Sequence, residues 1–132
     1  MSYRHDDGGR AAYFRGSAGD CVTRAIAIAA ELDYRAVYDE LHVRAKDLGL
    51  KKPSPRSGTN PKAYLPYLEA LGFRWVPLVK VGMTGPKPRY TDAPQQGRII
   101  LRMGKHLSAL IDGAIHDTWD SRHRAVYGYW TR

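Results

Sequence analysis

Cysteine is almost missing: Cys21 is the only one in 132 residues. A single thiol excludes an internal disulfide and fits a reducing, cytoplasmic setting. Long apolar runs are also missing. None approaches the roughly 20 residues that span a bilayer, so no membrane partner is expected. The first ten residues, Met1 to Arg10, have no apolar core, and no signal peptide is expected from them. Acidic residues are in the minority, with 13 against 21 Lys and Arg, for a formal charge of +8. That balance permits nucleic acid or an acidic protein as a partner. No block of five like charges occurs, however, and the spread suits a solvated basic surface. Internal repeats, low-complexity tracts and dividing linkers are absent as well. What remains, 43% hydrophobic and 26% charged, describes one globular domain over residues 1–132 with a modest core.

The lone cysteine stands where a glycine-containing loop, Gly16 to Gly19, meets an alanine-rich segment, Cys21 to Leu32. Cys21, Ala25, Ile28, Ala29 and Leu32 fall on one helical stripe, and Ala27 and Ala30 keep the other sides small. This predicts a central, buried helix with Asp20 as its N-cap, the carboxylate bonded to a first-turn amide. A thiol at such an N-terminus is favoured as thiolate by the helix dipole. A second helix is predicted over Tyr34–Lys46, capped by Asp33, and a third over Pro61–Leu71, with Pro66 as a point of bending or splitting. Residues 1–16 read as an extended lead-in whose Tyr13 and Phe14 pack on the domain.

After Gly72 the pattern changes to strands. Five are predicted: 73–79, at an edge because of Pro77, then 98–103, 106–111, 114–119 and 125–130. Helices followed by antiparallel strands give an α+β class, with the helices, Cys21's among them, packed on a C-terminal antiparallel sheet. Asp112-Gly113 lies between two apolar runs and signals a two-residue hairpin. That turn pairs Ile111 with Ala114, Leu110 with Ile115, Ala109 with His116, Ser108 with Asp117 and His106 with Trp119. Facing residues share a side, so His106, Ser108, Leu110, Ile115, Asp117 and Trp119 form one face. His106 and Asp117 become diagonal neighbours roughly 7 Å apart. An acid there sets the tautomer of the imidazole, leaving its other nitrogen for a thiol, and Trp119 covers the pair.

Cysteine at a helix start, histidine on a strand and an acid on the next strand resemble the papain-like cysteine peptidases, including compact bacterial and phage types such as bacteriocin-leader peptidases. Asp117-Thr118-Trp119 is similar to their Asn-Ser-Trp signature with Asp for Asn, and Gly19-Asp20-Cys21 to the leader-peptidase helix start. The likeness covers the Cys21 helix and residues 98–130. It implies a papain-like fold, a Cys21-His106-Asp117 triad, a thioester intermediate, a peptide or protein substrate and no cofactor. In that family a Gln about six residues before the Cys donates to the oxyanion. Here the position is Arg15, with Ser17 nearby, so the oxyanion and shielding candidates are Arg15, Ser17, Asp20 and Trp119.

Each residue also has a plainer reading. Cys21 is a small buried hydrophobe on an Ala/Ile helix. His116 rivals His106 but lacks an acid in this register. His116, Asp117, Asp120 and His123 have no zinc-finger spacing, and no metal is expected. Tyr127, Tyr129 and Trp130 read as sheet packing, and Arg122, Arg124 and Arg132 as solvated or as a rim for an acidic substrate. The recognition pocket is expected in residues 50–60 and 82–97. Two rival functions follow: a basic module that binds nucleic acid or an acidic protein, and an inactive papain-like fold that acts as an inhibitor.

Overall fold

The structure, a computed structural model, describes residues 2–16 and 18–132. Three helices, α1 (Cys21–Ala30), α2 (Tyr34–Asp47) and α3 (Pro61–Ala70), precede most of the sheet. The strands are β1 (Tyr3–His5), β2 (Arg74–Pro77), β3 (Arg98–Met103), β4 (His106–Ile111), β5 (Ala114–Asp117) and β6 (Val126–Thr131). They form one six-stranded sheet in the order β1-β5-β4-β3-β6-β2. The class is α+β, but the sheet is mixed. β1 runs parallel to β5, with Tyr3 beside Ile115 and His5 beside Asp117. The expected all-antiparallel sheet is corrected by this strand. Tyr-Arg-His is too short and too polar to carry a strand pattern, and it is held by its pairing and by Tyr3 packing on the far face of the sheet.

Helix α1 earns its central place by composition. Val22 and every residue after it to Ala30 are buried. Its small residues let it lie on the sheet against Ile100, Leu107 and Ala109, while Val37, Leu41, Tyr64 and Leu68 cover it from outside. Its C-terminal carbonyls, which a helix leaves unpaired, are taken by Arg98 Nε at Ala29 (3.3 Å) and by Arg132 at Ala30 (3.4 Å). Cations there also suit the negative end of the dipole. The helix stops at Ala30, two residues before the expected end, because Glu31 turns left-handed at φ 55°.

Asp33 caps α2 through the Ala36 amide, as its sequence predicts. Pro66 neither bends nor splits α3 into two elements. It faces solvent, where the carbonyl it leaves unpaired can bond water. Pro77 sits on β2, which is an edge strand as expected. Trp75 of that strand crosses Gly128 so closely that a Cβ at 128 would lie 2.4 Å from its ring. Only glycine fits there. The far face of the sheet buries Ile99, Leu101, Met103, Leu110, Ile115 and Val126 under Tyr3, Leu78 and Tyr90. Among the described residues no helix is long and apolar enough to cross a membrane.

Candidate active site

The Asp112-Gly113 turn has positive φ at both residues, 47° and 81°, as a type I′ turn requires. The register is the expected one: Ile111 with Ala114, Leu110 with Ile115, Ala109 with His116. The ladder then stops. Leu107 and Ala109 pack on α1, whereas Leu110 and Ile115 pack on the opposite face. Strict alternation would therefore send His106 and Asp117 away from Cys21. Both are still paired on their outer sides, His106 with Met103 of β3 and Asp117 with His5 of β1, but the β4–β5 ladder has ended and side chains join the two strands there. Cys21 is the first residue of α1, His106 the first of β4 and Asp117 the last of β5, so all three gather at one end of the sheet.

His106 Nε2 lies 2.7 Å from Asp117 Oδ2, with His106 7% and Asp117 2% exposed. Its other ring nitrogen, Nδ1, is left for Cys21, which is half-buried. Trp119 stacks obliquely on His106 at 4.7 Å between ring centroids, which is the shielding position expected for it. Burial alone would raise the Cys21 thiol. The bond with His106, the Leu107 backbone N–H and the charges of His106 and Arg24 outweigh it, and the thiol falls below its ordinary 9.0. Burial likewise opposes an imidazolium, yet the bonds to Asp117 and Cys21 lift His106 from 6.5 to about 9. Asp117 is driven up by burial but held below its ordinary 3.8 by His106, Ser108 and the Thr118 amide. The arrangement favours a thiolate-imidazolium pair next to an ionised carboxylate.

Asp117 has more partners than a simple triad would give it. Ser108 Oγ donates at 2.6 Å, Ser121 Oγ at 3.3 Å and the Thr118 N–H at 2.7 Å. Arg24 Nη2 donates to its other oxygen at 3.3 Å. Arg24 is one helical turn beyond Cys21 and almost fully buried, and its Nη1 binds Asp20 and the Ala18 carbonyl. Asp20 in turn accepts from the Tyr34 hydroxyl and pairs with Arg10 at 3.6 Å. The expected N-cap bond is thus not made. Asp20 occupies the cap position, but no side-chain cap bond is present. A guanidinium four residues on and a buried hydroxyl are stronger partners for a carboxylate than a neutral amide.

This also decides where the oxyanion candidates stand. Asp20 is fully buried and turned inward, its carboxylate occupied by Arg24, Tyr34 and Arg10. Arg15 is exposed and does not line the cleft at Cys21. Ser17 lies outside the described residues. With no carboxylate cap on α1, the Cys21 backbone N–H at its N-terminus remains as a donor.

The cleft has a volume of about 250 Å³ and is lined by Cys21, His106, Thr59, Tyr64, Arg102 and Lys105 among others. Of residues 50–60, Gly58 and Thr59 line it. Residues 82–97 contribute nothing to it, since Tyr90 and Ala93 instead cover the far face of the sheet. Arg122 is paired with Asp120, Arg132 lies over Phe73, and Arg124 holds the Gly104 carbonyl at 2.7 Å, so these three are engaged and not free. His116 does have an acid: Asp6, after β1, is 3.1 Å from its Nδ1. That partner was hidden with the strand that carries it. Arg24 was missed too, although a charged residue four positions after Asp20 in an otherwise apolar helix was a visible signal. Among the described residues no three His, Cys, Asp or Glu side chains gather in a way that could hold a metal ion. No family model, curated protein or solved structure matches the chain.

Proposed function

We propose that the protein is a papain-like cysteine hydrolase that cleaves a peptide, isopeptide or related amide bond through a thioester. The observation that carries this reading is a buried His106, bound through Nε2 to Asp117, whose remaining nitrogen faces the only thiol of the chain at the wall of a cleft. The Cys21 thiolate attacks the carbonyl carbon and forms the C–S bond. The Cys21 backbone N–H supports the oxygen that gains the charge. As the intermediate collapses, the C–N bond breaks and the imidazolium gives its proton to the departing amine. Neutral His106 then takes a proton from water. The resulting attack breaks the C–S bond and releases the acid, while the thiolate and imidazolium re-form. Asp117 orients the ring throughout and supports its positive form. Arg24 and the two serines hold that carboxylate in place.

A binding module with an inert Cys21 is the rival. It gives no reason for an imidazolium stabilised beside the thiol. The test is digestion of a complex peptide library, read by mass spectrometry as newly formed termini. The wild type produces them, with a transient Cys21 acyl adduct, and Cys21→Ala does not. A wild type that yields no new termini and no adduct overturns the reading.

A further inference from the structure

The lip of the cleft next to Cys21 carries two cations, Arg102 at the end of β3 and Lys105 in the turn before His106. Both are exposed, and neither has an ion pair or a side-chain hydrogen bond among the described residues. No acidic residue lines the cleft. Thr59 on its wall has a buried hydroxyl oxygen, Oγ1, with no hydrogen-bond partner among the described residues, and Tyr64 also lines the cleft. A second hollow continues from this one. It shares Arg102, Met103 and Lys105 and adds Trp75, Pro77, Val79 and Tyr127. It too has no acidic lining residue, and Lys87 lies over the Tyr127 ring at 5.4 Å. The turn between the hollows is held in place: Lys105 adopts φ 53°, and Arg124 binds the Gly104 carbonyl.

We infer that this double hollow selects a peptide segment with an acidic side chain beside the scissile bond and a bulky apolar side chain further along. The inference rests on the cysteine-hydrolase reading and gives its substrate class. Unpaired cations beside the buried, unpartnered Thr59 hydroxyl provide a carboxylate with charge and a directed donor. Lysine or arginine in the same place meets repulsion and no acid. Trp75, Pro77 and Tyr127 offer apolar surface for the next residue. Single-stranded nucleic acid also uses basic and aromatic surfaces, but the thiol at the head of the groove has amide chemistry to perform and no role on a phosphate chain.

The test uses matched peptidyl vinyl sulfones, with Glu, Gln or Lys next to the electrophile, and reads the rate of adduct formation on Cys21 by mass. The Glu probe is expected to react at least about tenfold faster than the Lys probe at low salt, with the gap closing towards roughly 1 M salt. Arg102→Glu with Lys105→Glu reverses the order. The salt dependence of the wild type is an independent arm should that variant fail to fold. Equal rates for Glu and Lys, while iodoacetamide still labels Cys21 rapidly near neutral pH, overturn the selectivity and leave the hydrolase reading intact. Equal rates together with salt-sensitive binding of a labelled oligonucleotide assign the groove to nucleic acid and overturn it as well. A Cys21 unreactive to every probe and to iodoacetamide removes the hydrolase reading itself.

Discussion

Among the described residues there are two histidine-aspartate pairs, and their surroundings differ. His106 and Asp117 are 2.7 Å apart with side chains 8% and 2% exposed. His116 and Asp6 are 3.1 Å apart with side chains 15% and 32% exposed. The first pair has a thiol on its free side, an indole ring across its face and five donors around its carboxylate. The second joins β5 to the N-terminal segment near the edge of the sheet. Proximity of an imidazole and a carboxylate therefore does not make the two pairs equivalent. Exclusion of water makes the electrostatics strong, and a nucleophile facing the remaining nitrogen gives them something to act on.

The contrast is broken most severely at the histidines. His106→Ala is expected to lower iodoacetamide alkylation of Cys21 near pH 6 by about 10²-fold or more, because the thiol loses its cationic partner. His116→Ala changes that rate by no more than roughly twofold. Labelling followed by intact mass measures both, since only one cysteine is present. Equal losses in the two variants would erase the distinction.

Arg24 tests how much the site depends on its support. Arg24→Met leaves two buried carboxylates, Asp20 and Asp117, short of a cation. Removing one member of a buried ionic group typically costs about 3–5 kcal/mol, read here as a shift in urea denaturation. A loss below about 1 kcal/mol would mean that this cluster is as weakly coupled as a surface pair.

Asp117→Asn sharpens the comparison by pH. His106 has a folded pKa above its ordinary value, so its stabilising contribution is complete below about 6.5 and is lost as pH rises through about 9. Asp117 has the opposite sign, contributing above its ordinary 3.8 and failing as pH falls through its lower folded value. The neutral amide cannot support the imidazolium. Titration of the His106 ring by NMR is therefore expected to move from about 9 towards 6.5, with the alkaline loss of stability moving down with it. The smallest effect belongs to the second pair: Asp6→Asn, on a partly exposed contact, is expected to cost no more than about 1 kcal/mol in the same denaturation experiment.

The three helices, the Asp112-Gly113 hairpin and the pairing of His106 with Asp117 were legible in the sequence, because each rests on local chemistry: apolar period, cap and turn residues, hairpin register. What was illegible came from distance in the chain. β1 has no pattern of its own, so neither the parallel pairing nor Asp6 beside His116 could be read. Asp20 looked like a cap because the Tyr34 hydroxyl and Arg10 that share its carboxylate with Arg24 lie on other segments. Face parity led to the right pair for an incomplete reason. Parity alone points His106 away from α1, and the three residues meet at one end of the sheet, past the last β4–β5 pair at Ala109–His116. Arg15, aligned by sequence with an oxyanion donor, is exposed and outside the cleft, and the groove partners Tyr64 and Arg102 come from α3 and β3.

The central claim is a Cys21 thiolate stabilised by a protonated His106. The ultraviolet absorbance of the thiolate, followed across pH in the native wild type, tests it most directly. The account predicts a midpoint clearly below the ordinary 9.0, rising towards that value in His106→Ala. A midpoint at or above 9.0 in the wild type, unchanged when residue 106 is replaced, would contradict it.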